Sequence, residues 1–555
     1  MRRMLRWLAM LALTGLLSGA PAAAGVRWPA DVRTLGEVSD LLRHMVAVAP
    51  TTGVSGETVH SMAELQRFYR MRDYAPAWIE NTGVTLQTAD VLERLRRAWI
   101  EGLDHARYHP DAIEDLAGGA EDVVQLAQLD LLLSDAFLSY ARDVREGRVS
   151  PREVDPAWHI ASEPFDYSQA LEHALASRSA AAVLDAMAPD HEGYRRLRVA
   201  LARYHAVERR GGWPLLPAGR RLLRLGVRDA RVPILRTRFV MAGVLRDQSV
   251  ADERLFDAEL DKVVRHFQQR HGLTPDGVVG EGTRAALNVP VRERIRGIVL
   301  NMERWRWLPR RLPARYAMVN MAGFELVLYD SGLPIREMRV IIGRDQRQTP
   351  ALATRITSVV FNPYWYVPET VLREDLLPAL AAEPELLGRL RLKVFSDLRG
   401  RGKEVDVSKI DWSRYASQPF PYTLRQEPGP DNALGRYKFI LADTPAIYLH
   451  DTSNHRLFQR RSLALSSGCI RVEDPEDLAA FLLGEQWQAQ GLARIAEGQP
   501  HPMELATPVP IYLLYFTAWV NELNELHFRE DIYGRDSQLH ALLGAGNASM
   551  ARAIP

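Results

Sequence analysis

The residues of this chain whose types and spacing best suit chemistry are Cys469 and His450, which stand nineteen positions apart. Cys469 is the only cysteine among 555 residues, so it cannot form an intrachain disulfide. A thiol becomes an effective nucleophile where a base is close enough to take its proton. His450 ends a strand-like segment, and the polar loop after it could fold back to bring the two side chains together. Alternatively, a lone cysteine can have a purely structural role as a small buried apolar residue.

The run that holds the cysteine reads Ser466-Ser467-Gly468-Cys469-Ile470-Arg471. Gly468 has no Cβ and allows a tight backbone turn beside Ser467. Amides near the thiol could then point at a developing oxyanion, with the Cys469 amide as the expected donor. His455 is the nearest rival base, and we interpret it as a histidine of a surface loop.

The wider context of these residues resembles the catalytic signature of the L,D-transpeptidase (YkuD-type) family. The segments that carry the resemblance are Ile447-Tyr448-Leu449-His450-Asp451-Thr452, then Phe458, then Ser466-Ser467-Gly468-Cys469-Ile470-Arg471-Val472. Three further blocks look like those of its large Gram-negative branch: Arg347-Gln348-Thr349-Pro350, Asn362-Pro363-Tyr364-Trp365-Tyr366-Val367-Pro368 and Pro428-Gly429-Pro430-Asp431-Asn432-Ala433-Leu434-Gly435. Many family members have His before the Gly-Cys pair, where this chain has Ser467. That departure puts the subfamily contacts in doubt more than the activity.

The resemblance implies a role for each matching position. Cys469 would be the nucleophile and His450 the base, with its ring oriented by the backbone carbonyl of Asp451. Gly468 and Ser467 would form the oxyanion turn. The residues implied in substrate binding are Tyr448, Arg471, Asp451, Trp365 and Tyr366, although core packing is an equal alternative for the last two. The resemblance also implies acylation of the thiol by carbapenems, and no metal or organic cofactor.

The rest of the sequence predicts a multidomain α+β protein. An all-helical scaffold is expected over 25–212, with an apolar stripe from Val123 to Val144. Residues 213–292 resemble the small three-helix peptidoglycan-binding module, with a turn at Asp276-Gly277; the alternative is a generic helical hairpin. A mostly β catalytic domain follows over 293–540, interrupted at 371–424 by a charged, helix-prone capping insertion, and residues 541–555 form a tail. Strands are predicted at 318–321, 325–329, 338–342, 356–361, 437–441, 447–450 and 511–516.

Residues 1–24 have the layout of a cleavable export signal: three arginines, a short apolar stretch and small residues before Gly25. The alternative is an uncleaved anchor in the inner membrane, and either way we expect the bulk of the chain in the periplasm. The formal net charge of +1 does not indicate a protein that binds nucleic acid. One basic run, 304–311, is interpreted as an amphipathic helix end that packs its two tryptophans.

The function implied by the resemblance is a periplasmic L,D-transpeptidase that forms 3→3 cross-links in peptidoglycan. Its partners would be tetrapeptide stems, as donor and acceptor, and other cell-wall synthases. Two alternatives stay open. An L,D-carboxypeptidase would use water as the acceptor, and a non-enzymatic wall-binding scaffold would bind peptidoglycan without any use for the thiol.

Overall fold

The computed structural model describes residues 35–551, apart from residues 49–52, 81–82, 157, 159, 161–162, 247–249, 398–401, 417 and 445–446. The signal-like segment 1–24 lies outside the described residues. The described chain packs into two compact units. The first contains the residues up to 96 together with 105–140 and 166–184. The second contains 97–104, 141–165 and the chain from 185 onward, and it holds Cys469 and His450.

Helices account for most of the chain before the main sheet. They are α1 (Leu35–Ala47), α2 (Met62–Met71), α3 (Gln87–Arg96), α4 (Pro110–Gly119), α5 (Val123–Glu146), α6 (Pro151–Val154), α7 (Tyr167–Ala176), α8 (Ala180–Asp185), α9 (Glu192–Arg209), α10 (Val232–Met241), α11 (Ala258–Arg270), α12 (Glu281–Leu287) and α13 (Val291–Arg306). Two short strands, β1 (Ile79–Glu80) and β2 (Gly83–Val84), pair between α2 and α3. Leu126, Leu129, Leu133 and Phe137 of α5 are fully buried, which confirms the predicted apolar stripe.

Helices α10, α11 and α12 share one apolar cluster, which includes Phe239, Leu260 and Leu287. The predicted turn at Asp276-Gly277 is present and is held by Gln268 of α11. The Gln268 side-chain amide donates to Asp276 Oδ1 at 2.8 Å and accepts from the Gly277 amide at 2.9 Å. Gly277 adopts φ +75°, a conformation that side chains with a Cβ disfavour. The turn therefore closes the small helical module.

A nine-stranded sheet forms the core of the catalytic part. Its strands are β3 (Tyr316–Asn320), β4 (Glu325–Asp330), β5 (Leu333–Gly343), β6 (Leu352–Phe361), β10 (Tyr437–Leu441), β11 (Leu449–His450), β12 (Ala464–Ser466), β13 (Ile470–Val472) and β14 (His501–Leu514). They are arranged in the order β12-β5-β13-β11-β10-β6-β14-β3-β4. Strand β5 also pairs with β4 through its first half and with β13 through its second, so the strands close into a circuit.

The insertion is a small subdomain with its own core. It contains β7 (Trp365–Tyr366), α14 (Glu369–Val371), a π-helical turn (Leu372–Leu376), α15 (Leu377–Ala382), α16 (Leu386–Arg389), β8 (Leu392–Phe395) and β9 (Thr423–Gln426). The three strands pair in the order β7-β9-β8. The predicted helices are present, and the sheet adds strands that the charged sequence did not indicate. Both β8 and β9 are only four residues long, which gives a period-two pattern little length in which to show.

The remaining helices and strands lie after β13. These are α17 (Pro475–Leu483), α18 (Leu492–Ala496), the hairpin of β15 (Ala518–Val520) and β16 (Leu526–Phe528), and α19 (Arg535–Ala551). Trp305 and Trp307 at the end of α13 are buried, as the interpretation of the basic run required. Over the residues that the structure describes, no helix is both long and apolar enough to cross a membrane.

Candidate active site

The register of two parallel strands brings Cys469 and His450 to one face of the sheet. Leu449 of β11 lies opposite Ile470 of β13, and His450 lies opposite Arg471. Leu449 and Ile470 are fully buried, so they point into the core. Because side chains alternate along a strand, the residues before and after them project to the other face. That face therefore carries His450 of β11 and Arg471 of β13, together with Tyr448 and Cys469, the residues immediately before the two strands.

A hydrogen-bonded turn fixes the backbone just before the thiol. Gly468 has φ +114°, and a Cβ there would meet its nearest neighbours only at 3.8 and 3.9 Å. The glycine is thus required by its backbone angle rather than by space. The Thr349 hydroxyl donates to the Gly468 carbonyl at 2.8 Å, and the Ser466 hydroxyl donates to the Cys469 carbonyl at 2.5 Å. These bonds hold the segment that the sequence predicts as the oxyanion turn, and that role stays a prediction.

Burial dominates the electrostatics of the thiol. It raises the pKa of Cys469. Two influences act in the opposite direction: the backbone and hydroxyl of Tyr448 hydrogen-bond the thiol, and Lys438 and Arg471 carry positive charges nearby. Those cations in turn have lowered pKa values, chiefly through burial, with the Cys469 thiol opposing that shift. The resting group is therefore a protonated thiol, and the surrounding cations would stabilise a thiolate once it forms.

The imidazole of His450 is buried and neutral. Its Nδ1 lies 2.5 Å from the Asp451 carbonyl, so the predicted contact with that carbonyl is present. A carbonyl can only accept a hydrogen bond, so Nδ1 carries the proton and Nε2 is left as the basic nitrogen. Burial lowers the pKa of His450 to about 3, and the charges of Arg471 and Lys438 act in the same direction. At neutral pH the ring is therefore an unprotonated imidazole that can accept a proton, and not an imidazolium that holds a thiolate.

The carboxylate of Asp451 is engaged by the protein itself. It accepts hydrogen bonds from the amides of Arg436 at 2.8 Å and Thr452 at 2.7 Å. His455 Nε2 lies 3.1 Å from the same carboxylate, and the His455 side chain is 54% exposed. His455 is therefore a histidine of an exposed loop, in agreement with its interpretation from sequence. Asp451 holds the loop after β11, and its predicted contact with substrate stays a prediction.

Arg347 joins the cysteine turn to the insertion. Its guanidinium donates to the Ser467 hydroxyl at 2.9 Å and pairs with Asp375 at 2.7 Å and Glu374 at 2.6 Å. Arg344 also contacts Asp375, at 3.1 Å. Asp375 and Glu374 lie in the π-helical turn of the insertion. The Arg347 side chain therefore links the insertion directly to Ser467, the residue before Gly468.

Trp365 and Tyr366 lie in the small sheet of the insertion, on β7. Trp365 packs against the apolar cluster of the insertion, which is the core-packing alternative for this residue. Tyr366 is 40% exposed and its ring lies 6.1 Å from that of Tyr364. Neither residue lies on the strands that carry Cys469 and His450, and their contact with a stem peptide stays a prediction.

Two residues near the thiol, Lys438 and Thr349, were not predicted from the sequence as part of the site. Lys438 of β10 lies directly opposite His450, and its Nζ is 3.9 Å from the centroid of the Tyr448 ring. The available signal was a lysine inside the otherwise apolar strand Tyr437–Leu441. The sequence placed Thr349 only in a segment that resembles the family, and gave no sign that its hydroxyl donates a hydrogen bond to the Gly468 carbonyl. Among the residues of the described ranges, no three His, Cys, Asp or Glu side chains gather in a way that could hold a metal ion.

Three protein-family models match successive parts of the chain. The match over residues 314–511 is to "L,D-transpeptidase catalytic domain", that over 228–287 is to "Putative peptidoglycan binding domain" and that over 63–201 is to "Scaffold domain". The chain therefore contains an L,D-transpeptidase catalytic domain preceded by a peptidoglycan-binding domain and a scaffold domain. The expected class of protein and the expected fold class are thereby confirmed.

Among characterised sequences, the chain is similar to a Haemophilus influenzae protein named "Putative L,D-transpeptidase", with 39% identity over 224 residues. That match covers 40% of this chain and 45% of the relative. A second match, 47% identical over 73 residues, is to the "N-acetylmuramoyl-L-alanine amidase CwlM" of Mycobacterium tuberculosis and covers 12% of this chain and 18% of that protein. The chain thus spans less than half the length of the relatives it matches.

One solved structure, an L,D-transpeptidase from Xylanimonas cellulosilytica, is matched over 54% of this chain and 100% of that chain. The sequence identity is 14% and the TM-score is 0.18, which are too low to support a conclusion.

Proposed function

We propose that this protein is a periplasmic L,D-transpeptidase that forms 3→3 cross-links through a thioester on Cys469. The observation that carries the proposal is the register of β11 and β13, which sets the buried, neutral His450 on the side of the sheet that Cys469, the residue just before β13, is expected to face. The matched L,D-transpeptidase catalytic domain supports an enzyme that acts on peptidoglycan. The peptidoglycan-binding domain supports contact with the same polymer.

The first half-reaction forms the acyl-enzyme. His450 Nε2 takes the thiol proton as the sulfur attacks the carbonyl carbon of the third stem residue. The negative charge that develops on the carbonyl oxygen would be met by amides of the Gly468 turn, with the Cys469 amide foremost. The intermediate then collapses, the bond to the terminal D-Ala breaks, and His450 returns the proton to the departing amine. A thioester between Cys469 and the stem remains.

The second half-reaction transfers the stem. The side-chain amine of a neighbouring stem attacks the thioester carbonyl while His450 takes a proton from the nitrogen. The carbon–sulfur bond breaks, and the sulfur leaves as a thiolate that regains the proton from His450. The product is an amide between the third residues of two stems. The positive charges of Lys438 and Arg471 stabilise the thiolate at each stage at which it forms.

The proposal is tested by incubating the purified protein with a tetrapeptide donor and measuring its intact mass. We expect the mass of one tripeptide acyl group to be added, and peptide mapping to place it on Cys469. Cross-linked dimers should accumulate when an acceptor stem is supplied. Release of tripeptide alone would identify a carboxypeptidase instead. Binding to sacculi with no covalent adduct, unchanged in Cys469→Ala, would identify a wall-binding scaffold.

Export to the periplasm is part of the proposal and rests on the signal-like layout of residues 1–24. Fractionation of cells that express the full chain tests it. Recovery of the protein outside the inner membrane, starting at or near Gly25, is expected; an intact amino terminus in the membrane fraction would indicate the anchor.

A further inference from the structure

A cavity lies within the larger unit, on elements other than β11 and β13. Its volume is about 560 Å³, which is enough for a short peptide. Its walls come from α9, α10, α11 and α13 and from the residues around β16. Helices α10 and α11 belong to the matched peptidoglycan-binding domain, whereas β16 lies beyond the matched catalytic segment.

Six arginines line this cavity, and three of them, Arg238, Arg270 and Arg294, each donate a hydrogen bond to a backbone carbonyl. Arg238 donates to Leu287 at 3.1 Å, Arg270 to Leu526 at 2.8 Å and Arg294 to Ala286 at 2.8 Å. These bonds fix the three guanidinium groups in place. Each guanidinium has further N–H groups beyond those used here. The arginines are therefore held in position without being saturated by the protein.

Within the described residues, no Asp or Glu side chain lies within ion-pair distance of Arg238, Arg270 or Arg294. The two acidic residues that line the cavity pair with other lining residues: Glu192 contacts Arg195 and Arg196, and Glu525 contacts His266. Burying like charges without a partner is unfavourable, since each loses hydration and gains no ion pair.

The electrostatics of the cavity follow from that arrangement. Burial lowers the pKa of Arg238 to about 9, and the charge of Arg294 lowers it further. Burial lowers the pKa of Arg294 to about 10, with the charge of Arg270 acting in the same direction. Arg238 and Arg294 therefore remain charged at neutral pH. An anion entering the cavity would relieve their mutual repulsion.

Much of the remaining wall is apolar, with the rings of Tyr204, Trp213 and Phe267 beside aliphatic side chains, and it suits a ligand with an apolar part. The Arg238 guanidinium lies 3.5 Å over the Trp213 ring, and that of Arg294 lies 4.5 Å over Phe528. Tyr204 packs edge-on against Trp213 at 5.8 Å. Stacking of this kind keeps the planes of the guanidinium groups fixed, which favours two-pronged recognition of a carboxylate. A bare inorganic ion would leave the aromatic surface unused.

We propose that this arginine cavity binds the carboxylates of a peptidoglycan stem peptide, at a site separate from Cys469. The proposal rests on the proposed function for the identity of the polymer. The occupant is a peptide rather than a phosphate polymer because aliphatic and aromatic side chains form much of the wall around the guanidinium groups, and a phosphate polymer would leave that apolar surface uncovered. Binding here would hold the wall polymer on the larger unit independently of acyl transfer at the thiol.

Hydrogen–deuterium exchange of the full chain with Cys469→Ala tests the cavity without any chemistry. A stem tetrapeptide with free carboxylates should slow exchange in peptides that cover α10 and α13. The same peptide with its carboxylates amidated should have no effect there. In Arg294→Gln, and separately in Arg270→Gln, the half-saturating concentration should rise about tenfold or more, because a charged hydrogen-bond partner is lost.

Arg292→Gln is the matched control, since Arg292 lies on the same helix with its side chain 85% exposed and paired with Glu208. It should bind like the parent, and unchanged melting of each variant separates lost binding from lost folding. Equal protection in Arg294→Gln, or protection by the amidated peptide, would overturn the proposal. So would protection by inorganic phosphate with none by the tetrapeptide. Acylation of Cys469 is measured separately on the parent chain, so failure of this site and failure of the proposed function are distinguishable.

Discussion

His450 and Arg471 stand directly opposite each other in the parallel pair formed by β11 and β13. The positive charge of Arg471 adds to the effect of burial, and the pKa of His450 falls to about 3. A histidine in this position is neutral at neutral pH. The charge of Arg471 thereby favours a neutral imidazole over an imidazolium in the resting protein.

The first prediction is the pH dependence of the thiol. Because burial raises the pKa of Cys469, alkylation by iodoacetamide should keep accelerating beyond pH 8.5, about the pKa of an ordinary thiol. Acylation by a stem donor should lack an acidic limb near pH 6.5, about the ordinary histidine value, since His450 becomes protonated only near its lowered pKa. Rapid alkylation that is already level at pH 5 would show a thiolate–imidazolium pair and contradict this assignment.

The second prediction concerns the nucleophile. Cys469→Ser should abolish acyl transfer, because an alcohol is far less acidic than a thiol, and should leave the fold intact, because one atom changes. Intact-protein mass after exposure to a donor measures the first effect, and thermal melting measures the second. A carbapenem should likewise add one covalent mass to the parent and none to the variant. Near-normal cross-linking by Cys469→Ser would show that another group is acylated.

The third prediction compares two histidines. His450→Ala should slow acyl-enzyme formation by about two to four orders of magnitude, the usual effect of losing a positioned base. His455→Ala should have little effect, because that side chain is half exposed and pairs with the carboxylate of Asp451 in the segment after β11. Single-turnover acylation at one pH, with both variants side by side, makes the comparison. If His455→Ala were the more damaging change, the proposed role of His450 would fail.

The fourth prediction concerns Lys438, which lies opposite His450 and whose charge lowers the pKa of the thiol. Lys438→Met should raise that pKa further, so that alkylation requires a higher pH than in the parent. Lys438→Arg retains the charge and should restore most of the parent profile. The pH profile of alkylation separates this effect from simple loss of packing, which would alter melting in both variants and leave the thiol titration unmoved.

The fifth prediction concerns the insertion, which we expect to order over the stem peptide. Asp375→Asn removes the charge that pairs with Arg347 and Arg344, and it should reduce donor turnover more than it reduces melting temperature. Glu383→Gln is the control, because Glu383 pairs with Arg389 inside the insertion and not with the sheet. Turnover in steady state and melting of both variants are the measurements. Equal losses in turnover and stability would mean that the segment is only core structure.

Much of the site could be read from the chain because its signals are local. The single cysteine, the glycine before it and the strand that ends in His450 lie within twenty-five residues of one another. Alternation of apolar residues marked seven strands, of which Tyr437–Leu441 has the predicted bounds. The short strands β12 and β13 beside the thiol were not predicted, since three residues are too few to show a period.

Only the tertiary structure decided which distant side chains meet these residues. Thr349 and Gly468 are 119 positions apart, Arg347 and Ser467 are 120 apart, and nothing local to either segment indicates the contact. Strand pairing likewise sets Lys438 opposite His450, and helix packing gathers Arg238, Arg270 and Arg294 around one cavity. Residue type and spacing determine which chemistry the chain can carry. Burial and neighbouring charge, which exist only once the chain has folded, determine the protonation states with which that chemistry begins.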